Sequence, residues 1–154
     1  MPAFPHLLRS LTLLTMLAAS QSLVAGPVMD PKQFGAAGDG RTKDTAALQR
    51  AIDAAAKAGG TVRLAAGTYL SGSLVLKSGV TFEIDKGATL LGSTSQADYR
   101  KNRWLALIEA KGQQNIAIIG DGVIDGQGEA LAADVLRLVQ EKKINDPLAS
   151  NPQQ

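Results

Sequence analysis

Gly67-Thr68-Tyr69-Leu70 recurs twenty residues on as Gly87-Ala88-Thr89-Leu90. Ser78-Gly79-Val80-Thr81 resembles Gln114-Asn115-Ile116-Ala117 at an offset of 36, and Gly87-Ala88-Thr89-Leu90 maps onto Gly122-Val123-Ile124-Asp125 at 35. These copies fall among short β-rich pieces at 61–64, 68–70, 73–76, 80–84, 88–91, 116–119 and 123–124, nearly all bounded by glycine. An antiparallel sandwich also uses short strands, but it favours hairpin dipeptides between them, and Asp121-Gly122 is the one such dipeptide joining two pieces directly. Offsets of about one and two turns instead describe stacked coils, an all-β solenoid whose short parallel strands meet at glycine corners. In that arrangement Val62, Leu64, Leu74, Leu76, Phe82, Ile84, Ile116 and Ile118 alternate along their strands and fill the interior of the tube.

A solenoid leaves its first coil uncovered, and the residues ahead of Thr61 supply a cover. Leu48, Ala51, Ile52 and Ala55 lie at helical spacing within Asp44 to Ala58, with Asp44 available as N-cap and Gly59 as a left-handed stop. The spacing predicts a capping α-helix. Phe34 to Gly40 carries three glycines and reads as a loop of tight turns leading into it. A second helix is predicted over Glu129 to Lys143, with Leu131, Val135, Leu138 and Val139 on one face and Lys142-Lys143 at its C-terminus. Ser93 to Trp104 reads as a loop between coils, and residues 147–154 as a frayed tail. The loop holds Arg100-Lys101-Asn102-Arg103-Trp104, basic residues beside an aromatic that could bind a polyanionic sugar chain, although a solvated loop with one packing Trp is the commoner use of such a cluster.

The apolar fraction of 45% owes something to the first segment, where His6 and Arg9 precede the apolar run Leu11 to Ala19 and then small or polar residues up to Ala25. This pattern reads as a secretory signal peptide over residues 1–25, with cleavage after Ala25 and, as alternatives, after Ser20 or Gly26. The run is too short to cross a bilayer, which takes about 20 residues, and no later run is longer, so no transmembrane helix is expected. Export to a periplasmic or extracellular location is expected from the same reading. Cleavage removes His6, the one histidine, and there is no cysteine, which excludes Ser-His-Asp catalysis, thiolate nucleophiles, disulfides and ordinary zinc sites from the remaining chain. A formal charge of +2 gives no electrostatic reason to expect binding to nucleic acid or to an anionic membrane. No Gly-Lys-Ser/Thr phosphate loop occurs, Gly120-x-Gly122 has Asp125 where a third glycine would stand, and no carboxylate cluster suits calcium. No cofactor or metal is expected.

The segment from Phe34-Gly-Ala-Ala-Gly-Asp-Gly to Asp44-Thr-Ala-Ala-Leu-Gln-Arg-Ala-Ile-Asp-Ala-Ala resembles the opening motif of pectin-degrading β-helix proteins. Gly59-Gly60-Thr61-Val62, Gly67 to Gly72 and Leu74 to Ser78 look like the first coils of family 28 glycoside hydrolases, the polygalacturonases and rhamnogalacturonases. Ile118 to Gly128 is similar to a later coil of the same enzymes. The resemblance covers about Phe34 to Asp146, with one departure at Lys43, where an acidic residue is usual. It implies a partial right-handed parallel β-helix over residues 26–146, and a family reaction in which galacturonan is hydrolysed with inversion by carboxyl groups about 6.5–9.5 Å apart. The family's catalytic motifs, Asn-Thr-Asp, Asp-Asp, Gly-His-Gly and Arg-Ile-Lys, lie in later coils and are not found here. Arg41-Thr42-Lys43 imitates the last of them but precedes the capping helix, which disqualifies it.

Asp121 and Asp125 are the one local carboxylate pair to weigh, and turn aspartates bonded to nearby backbone N–H groups are the ordinary explanation for them. No catalytic residue is therefore assigned. The expected function is the N-terminal structural portion of a secreted pectin-degrading hydrolase, inactive alone, whose family partner is galacturonan. The alternative is a non-catalytic polysaccharide-binding or structural β-helix module. In either case the last coil leaves an open end through which the chain could self-associate.

Overall fold

The computed structural model describes residues 26–100 and 105–145. Ten strands make three parallel sheets. The first sheet runs β1 (Val28–Met29), β3 (Thr61–Leu64), β6 (Thr81–Ile84), β9 (Ala117–Ile119), and the second runs β2 (Asp39–Lys43), β4 (Gly67–Ser71), β7 (Ala88–Gly92), β10 (Val123–Asp125). The third pairs β5 (Leu74–Val75) with β8 (Ile108–Glu109). The chain visits the sheets in rotation, so successive coils add strands to the same stacks, and the result is a right-handed parallel β-helix.

Stacking puts like on like. Val62 registers with Phe82 and Phe82 with Ile118, Leu64 with Ile84, and Tyr69 with Leu90, itself in register with Ile124. Val62, Phe82, Tyr69 and Leu90 are fully buried, as are Leu64 and Leu74. The same columns end in the open: Ile118 and Ile124 are each 46% exposed, because among the described residues no further coil covers them. Ile118, expected inside the tube, instead sits on its end, and Ile116 is only partly buried against the core.

Helix α1 (Thr45–Ala58) closes the other end. Its Leu48, Ala51, Ile52 and Ala55 are fully buried in the core cluster, and Gly59 ends it in the left-handed conformation with its N–H on the Ala55 carbonyl. Asp44 does not cap the helix as the sequence suggests. Its buried carboxylate turns back and accepts the N–H groups of Ala37 (2.7 Å) and Gly38 (2.9 Å), fixing the preceding loop while its own N–H donates to the Leu70 carbonyl. Regular structure borders that loop on both sides: a 3-10 turn over residues 31–34 ends at its first residue, and its last two residues open β2, which pairs in parallel with β4, strand pairing that the glycine content conceals. β1 and β8, two residues each, are likewise absent from the sequence reading.

The third sheet has no leading strand, and α1 supplies the substitute. The Gln49 side chain accepts the Val75 N–H (2.9 Å) and donates to the Val75 carbonyl (3.1 Å), so one amide does for β5 what a neighbouring strand would do. At the N-terminal end two sheets thus finish in the edge strands β1 and β2, and the third in the Gln49 side chain.

Two repeat offsets slip by one residue. β4 pairs Gly67 with Ala88 and Thr68 with Thr89, not Gly67 with Gly87, and β10 pairs Val123 with Thr89, not with Ala88. Gly87, at φ +83°, turns the corner before its strand, whereas Gly67 stands in the strand itself, so matching the two glycines puts the strands one residue out of register. The offset of 36 is correct, with Thr81 opposite Ala117. Helix α2 spans Gly128–Gln140, shorter than expected, because Lys142 takes φ +57° and turns the chain away; Lys142-Lys143 lie beyond the helix rather than in its last turn.

The signal peptide assigned to residues 1–25 and the tail at 147–154 lie outside the described residues, as do Lys101 to Trp104. Among the described residues no helix is long and apolar enough to cross a membrane.

Candidate functional site: two excursions from one corner

In the first coil, two residues, Gly72 and Ser73, separate β4 from β5. At the equivalent corner of the second coil the chain leaves after β7 and returns only at β8, through a 3-10 turn at Gln96–Asp98. In the third coil α2 follows β10 at that corner. The two excursions stand side by side. Gln127 Nε2 donates to the Gly92 carbonyl (2.5 Å), and Asp134 Oδ2 accepts the Gln96 N–H (2.9 Å). Leu131 and Val135 are the buried face of α2.

The first excursion is also tied downward to the coils. Lys43 Nζ contacts Asp98 Oδ1 at 2.6 Å, Ser93 Oγ donates to Asp98 Oδ2 (2.5 Å), and the Tyr99 hydroxyl donates to the Ser93 carbonyl (2.8 Å). The Arg100 N–H donates to Ser73 Oγ, which in turn donates to the Ala106 carbonyl (2.8 Å). Burial alone would push the Asp98 carboxyl up, but the Lys43 ammonium and the Ser93 hydroxyl outweigh it and hold its pKa below the ordinary value. Lys43, which departs from the usual acidic residue, thus has its carboxylate partner 55 residues away. A β-carbon on Gly72 would collide with the Asp98 carbonyl oxygen, so this glycine is needed for the close approach of the excursion.

Between the excursions lies an open cleft of about 870 Å³, bordered by Gln96, Arg100, Leu105, Leu138, Lys143 and Asn145. The acidic groups around it are occupied. Asp134 is held below its ordinary pKa by the Gln96 N–H and then Arg137, and Glu141 by Lys143 and then Arg137. Arg100, Lys143 and the amides of Gln96 and Asn145 share the walls with Ala97, Leu105, Leu138 and Ile144, so the cleft is as apolar as it is polar.

The residues weighed as catalytic come out differently. Asp121 lies exposed in the turn between β9 and β10, and Asp125, exposed at the end of β10, accepts the Gln127 N–H (2.9 Å) in a local turn. Arg41 and Thr42 belong to β2 and are organised by Asp39, whose carboxylate accepts both their N–H groups and the Thr42 hydroxyl. Those bonds, Thr42 N–H foremost, hold the Asp39 pKa below normal. Lys43 is committed to Asp98, away from both Asp121 and Asp125, so the basic triplet and the carboxylate pair form no common site. Among the described residues no group of three His, Cys, Asp or Glu could hold a metal ion. The organising residues Asp98, Asp134 and Gln127 escape sequence reasoning because their partners are distant in the chain; only Ser93, two residues before Ser95 and five before Asp98, hints at a side-chain-stabilised turn.

Comparison with known proteins agrees with this architecture. Residues 29–134 match the family described as rhamnogalacturonase A/epimerase, pectate lyase-like. An exo-poly-α-D-galacturonosidase of Dickeya chrysanthemi is 38% identical over 125 residues, covering 70% of this chain and 21% of that protein. The family 28 exopolygalacturonase of Yersinia enterocolitica superposes with a TM-score of 0.56 at 40% identity, covering 64% of this chain and 20% of that one. A solved Parabacteroides merdae chain superposes with a TM-score of 0.73 at 38% identity, covering 77% of this chain and 53% of that one. The chain spans about one fifth of the length of the two galacturonan-named relatives. With its coil order, its capping helix and the match over most of its length, the chain belongs to the pectate-lyase-like rhamnogalacturonase A/epimerase family.

Proposed function

We propose that the chain is the N-terminal β-helix portion of a secreted, pectin-degrading glycosidase of the polygalacturonase type, and that alone it hydrolyses no galacturonan. The family match over residues 29–134 and the galacturonan-named relatives support the first part of this reading, and the disposition of Asp121 and Asp125 carries the second. Glycoside hydrolysis by the usual inverting route needs an acid and a base facing each other across the bond, with room for a water between them. These two carboxylates are instead exposed around a turn, one of them engaged with the Gln127 N–H.

A reducing-sugar assay on the purified chain with polygalacturonate should give no turnover above buffer. Turnover that disappears on Asp121→Asn or Asp125→Asn would overturn the reading. Export is part of the same proposal: residues 1–25 act as the signal, so protein recovered from the periplasm or medium should have an intact mass lacking about 25 residues. Full-length protein confined to the cytosol would contradict it.

A further inference from the structure

We propose that Asp125-Gly126 is a self-modification site, where the folded chain converts aspartate to isoaspartate through a cyclic imide, and that the conversion releases α2 from the second coil. The step consumes no reagent but water. The Gly126 nitrogen attacks Cγ of the un-ionised Asp125 carboxyl, the new N–Cγ bond closes a ring, and the carboxyl OH departs with the nitrogen's proton as water. Water then adds to the ring at the Asp125 main-chain carbonyl and breaks its bond to nitrogen. The chain now runs through Cβ and Cγ, one carbon longer, with the former main-chain carbonyl left as a free carboxylate and no net change of mass.

The sequence holds three Asp-Gly pairs, the dipeptide that offers such an attack least steric resistance, and their surroundings differ. In Asp121-Gly122 the Gly122 N–H donates to the Ile84 carbonyl (2.9 Å), and a β-carbon on Gly122 would collide with Ile84 and the Asp85 carbonyl, so this peptide has no room to swing. In Asp39-Gly40 the carboxylate is held by the Arg41 N–H (2.8 Å), the Thr42 N–H (2.7 Å) and the Thr42 hydroxyl (2.9 Å), within β2 and in register with β4.

Asp125-Gly126 lacks both restraints. The Ser93 N–H donates to the Ser71 carbonyl, so the main-chain groups of odd-numbered β7 residues face β4 and those of even-numbered ones face β10. With Leu90 opposite Ile124, the Asp125 carbonyl therefore faces β7, and the Gly126 N–H, trans to it across the peptide, faces the side on which no described strand pairs. A β-carbon on Gly126 would meet nothing within 4 Å, so this peptide is free to turn. The Asp125 side chain already folds forward over it, because Oδ1 accepts the Gln127 N–H (2.9 Å).

The added carbon enters the chain where α2 is attached. Gln127 follows directly, and its Nε2 bond to the Gly92 carbonyl (2.5 Å) holds the base of the helix to the end of β7. The Asp134 bond to the Gln96 N–H (2.9 Å) depends on the same placement. Lengthening the main chain ahead of Gln127 shifts both donors and acceptors out of line, and hydrogen bonds weaken steeply with misalignment.

The test is incubation of the full chain in mildly acidic buffer, folded and in urea, with isoaspartate located in tryptic peptides by electron-transfer fragmentation. Peptide Gly112–Arg137 carries Asp121 and Asp125, and Gln33–Arg41 carries Asp39. The folded chain should form isoaspartate at Asp125 severalfold faster than at Asp39 or Asp121, whereas in urea the rates should converge. Gly126→Ala, whose β-carbon has room, should slow the Asp125 reaction severalfold with an unchanged circular dichroism spectrum. In the isomerised fraction, amide exchange should rise over α2 and at Gln96. Equal rates at all Asp-Gly pairs of the folded chain, isoaspartate at Asp125 only in urea, or an unslowed Gly126→Ala overturns the site. Unchanged exchange over α2 in the isomerised fraction overturns the release of the helix.

Discussion

Three aspartates here have three distinct tasks. Asp44 is buried against backbone N–H groups, Asp39 orders a turn on the surface, and Asp98 joins an ammonium and a hydroxyl at the foot of an excursion. Sequence alone places Asp44 at a helix start, which is right, and gives it the wrong acceptor role, because Ala37 and Gly38 come within reach only once β2 has turned the chain. The Asp98 pairing has a testable pH signature. Its folded pKa lies below the unfolded value of about 3.9, so the stability it contributes is complete above that value and is lost as pH falls through the folded pKa. Asp98→Asn should cost about 1–2 kcal/mol near neutral pH, since the carboxylate is mostly buried though Lys43 is largely exposed. Thermal melts of both proteins from about pH 6 to about pH 3 should show the gap between them closing below about pH 4. A gap that stays constant would mean that the Asp98 charge contributes nothing.

Elements with a strong period were legible and elements defined by a partner were not. α1 shows its buried stripe directly, and its residues Leu48 and Ile52 lie where the spacing puts them, with no exposure. β1, β2 and β8 are strands because a parallel neighbour is present, and Gln49 serves as a strand substitute with no strand-like sequence at all. The same limit hid the cleft: its walls meet through Asp134 and Gln96, 38 residues apart. Leu48→Ala or Ile52→Ala should each cost about 2–5 kcal/mol, since each opens a cavity between the helix and the first coil. Together they approach the whole stability of an ordinary domain, so the double variant should be largely unfolded at room temperature by circular dichroism. Thermal unfolding close to that of the unaltered chain would contradict the capping role of α1.

Among the described residues the solenoid has one end covered by a helix and one end left uncovered. At the latter, Ile118, Ile119, Val123 and Ile124 are 46–54% exposed, and β9 and β10 each pair on one side only. Such edges invite pairing with another chain. At the opposite end α1 covers the core, β1 is only two residues long and Asp39 occupies two N–H groups of β2, so association should favour tail-to-tail pairs over filaments. Light scattering should show a concentration-dependent dimer that Ile118→Lys/Val123→Lys converts to monomer, and a monomer at every concentration before substitution would rule this out. The closed end is also the end a ribosome makes first. β1, β2 and α1 leave the exit tunnel before any full coil exists, so each later coil can be laid on a surface already shielded from behind, and at any moment during synthesis only the newest coil is adhesive. A solenoid capped at its start can thus be built in the order in which it is translated.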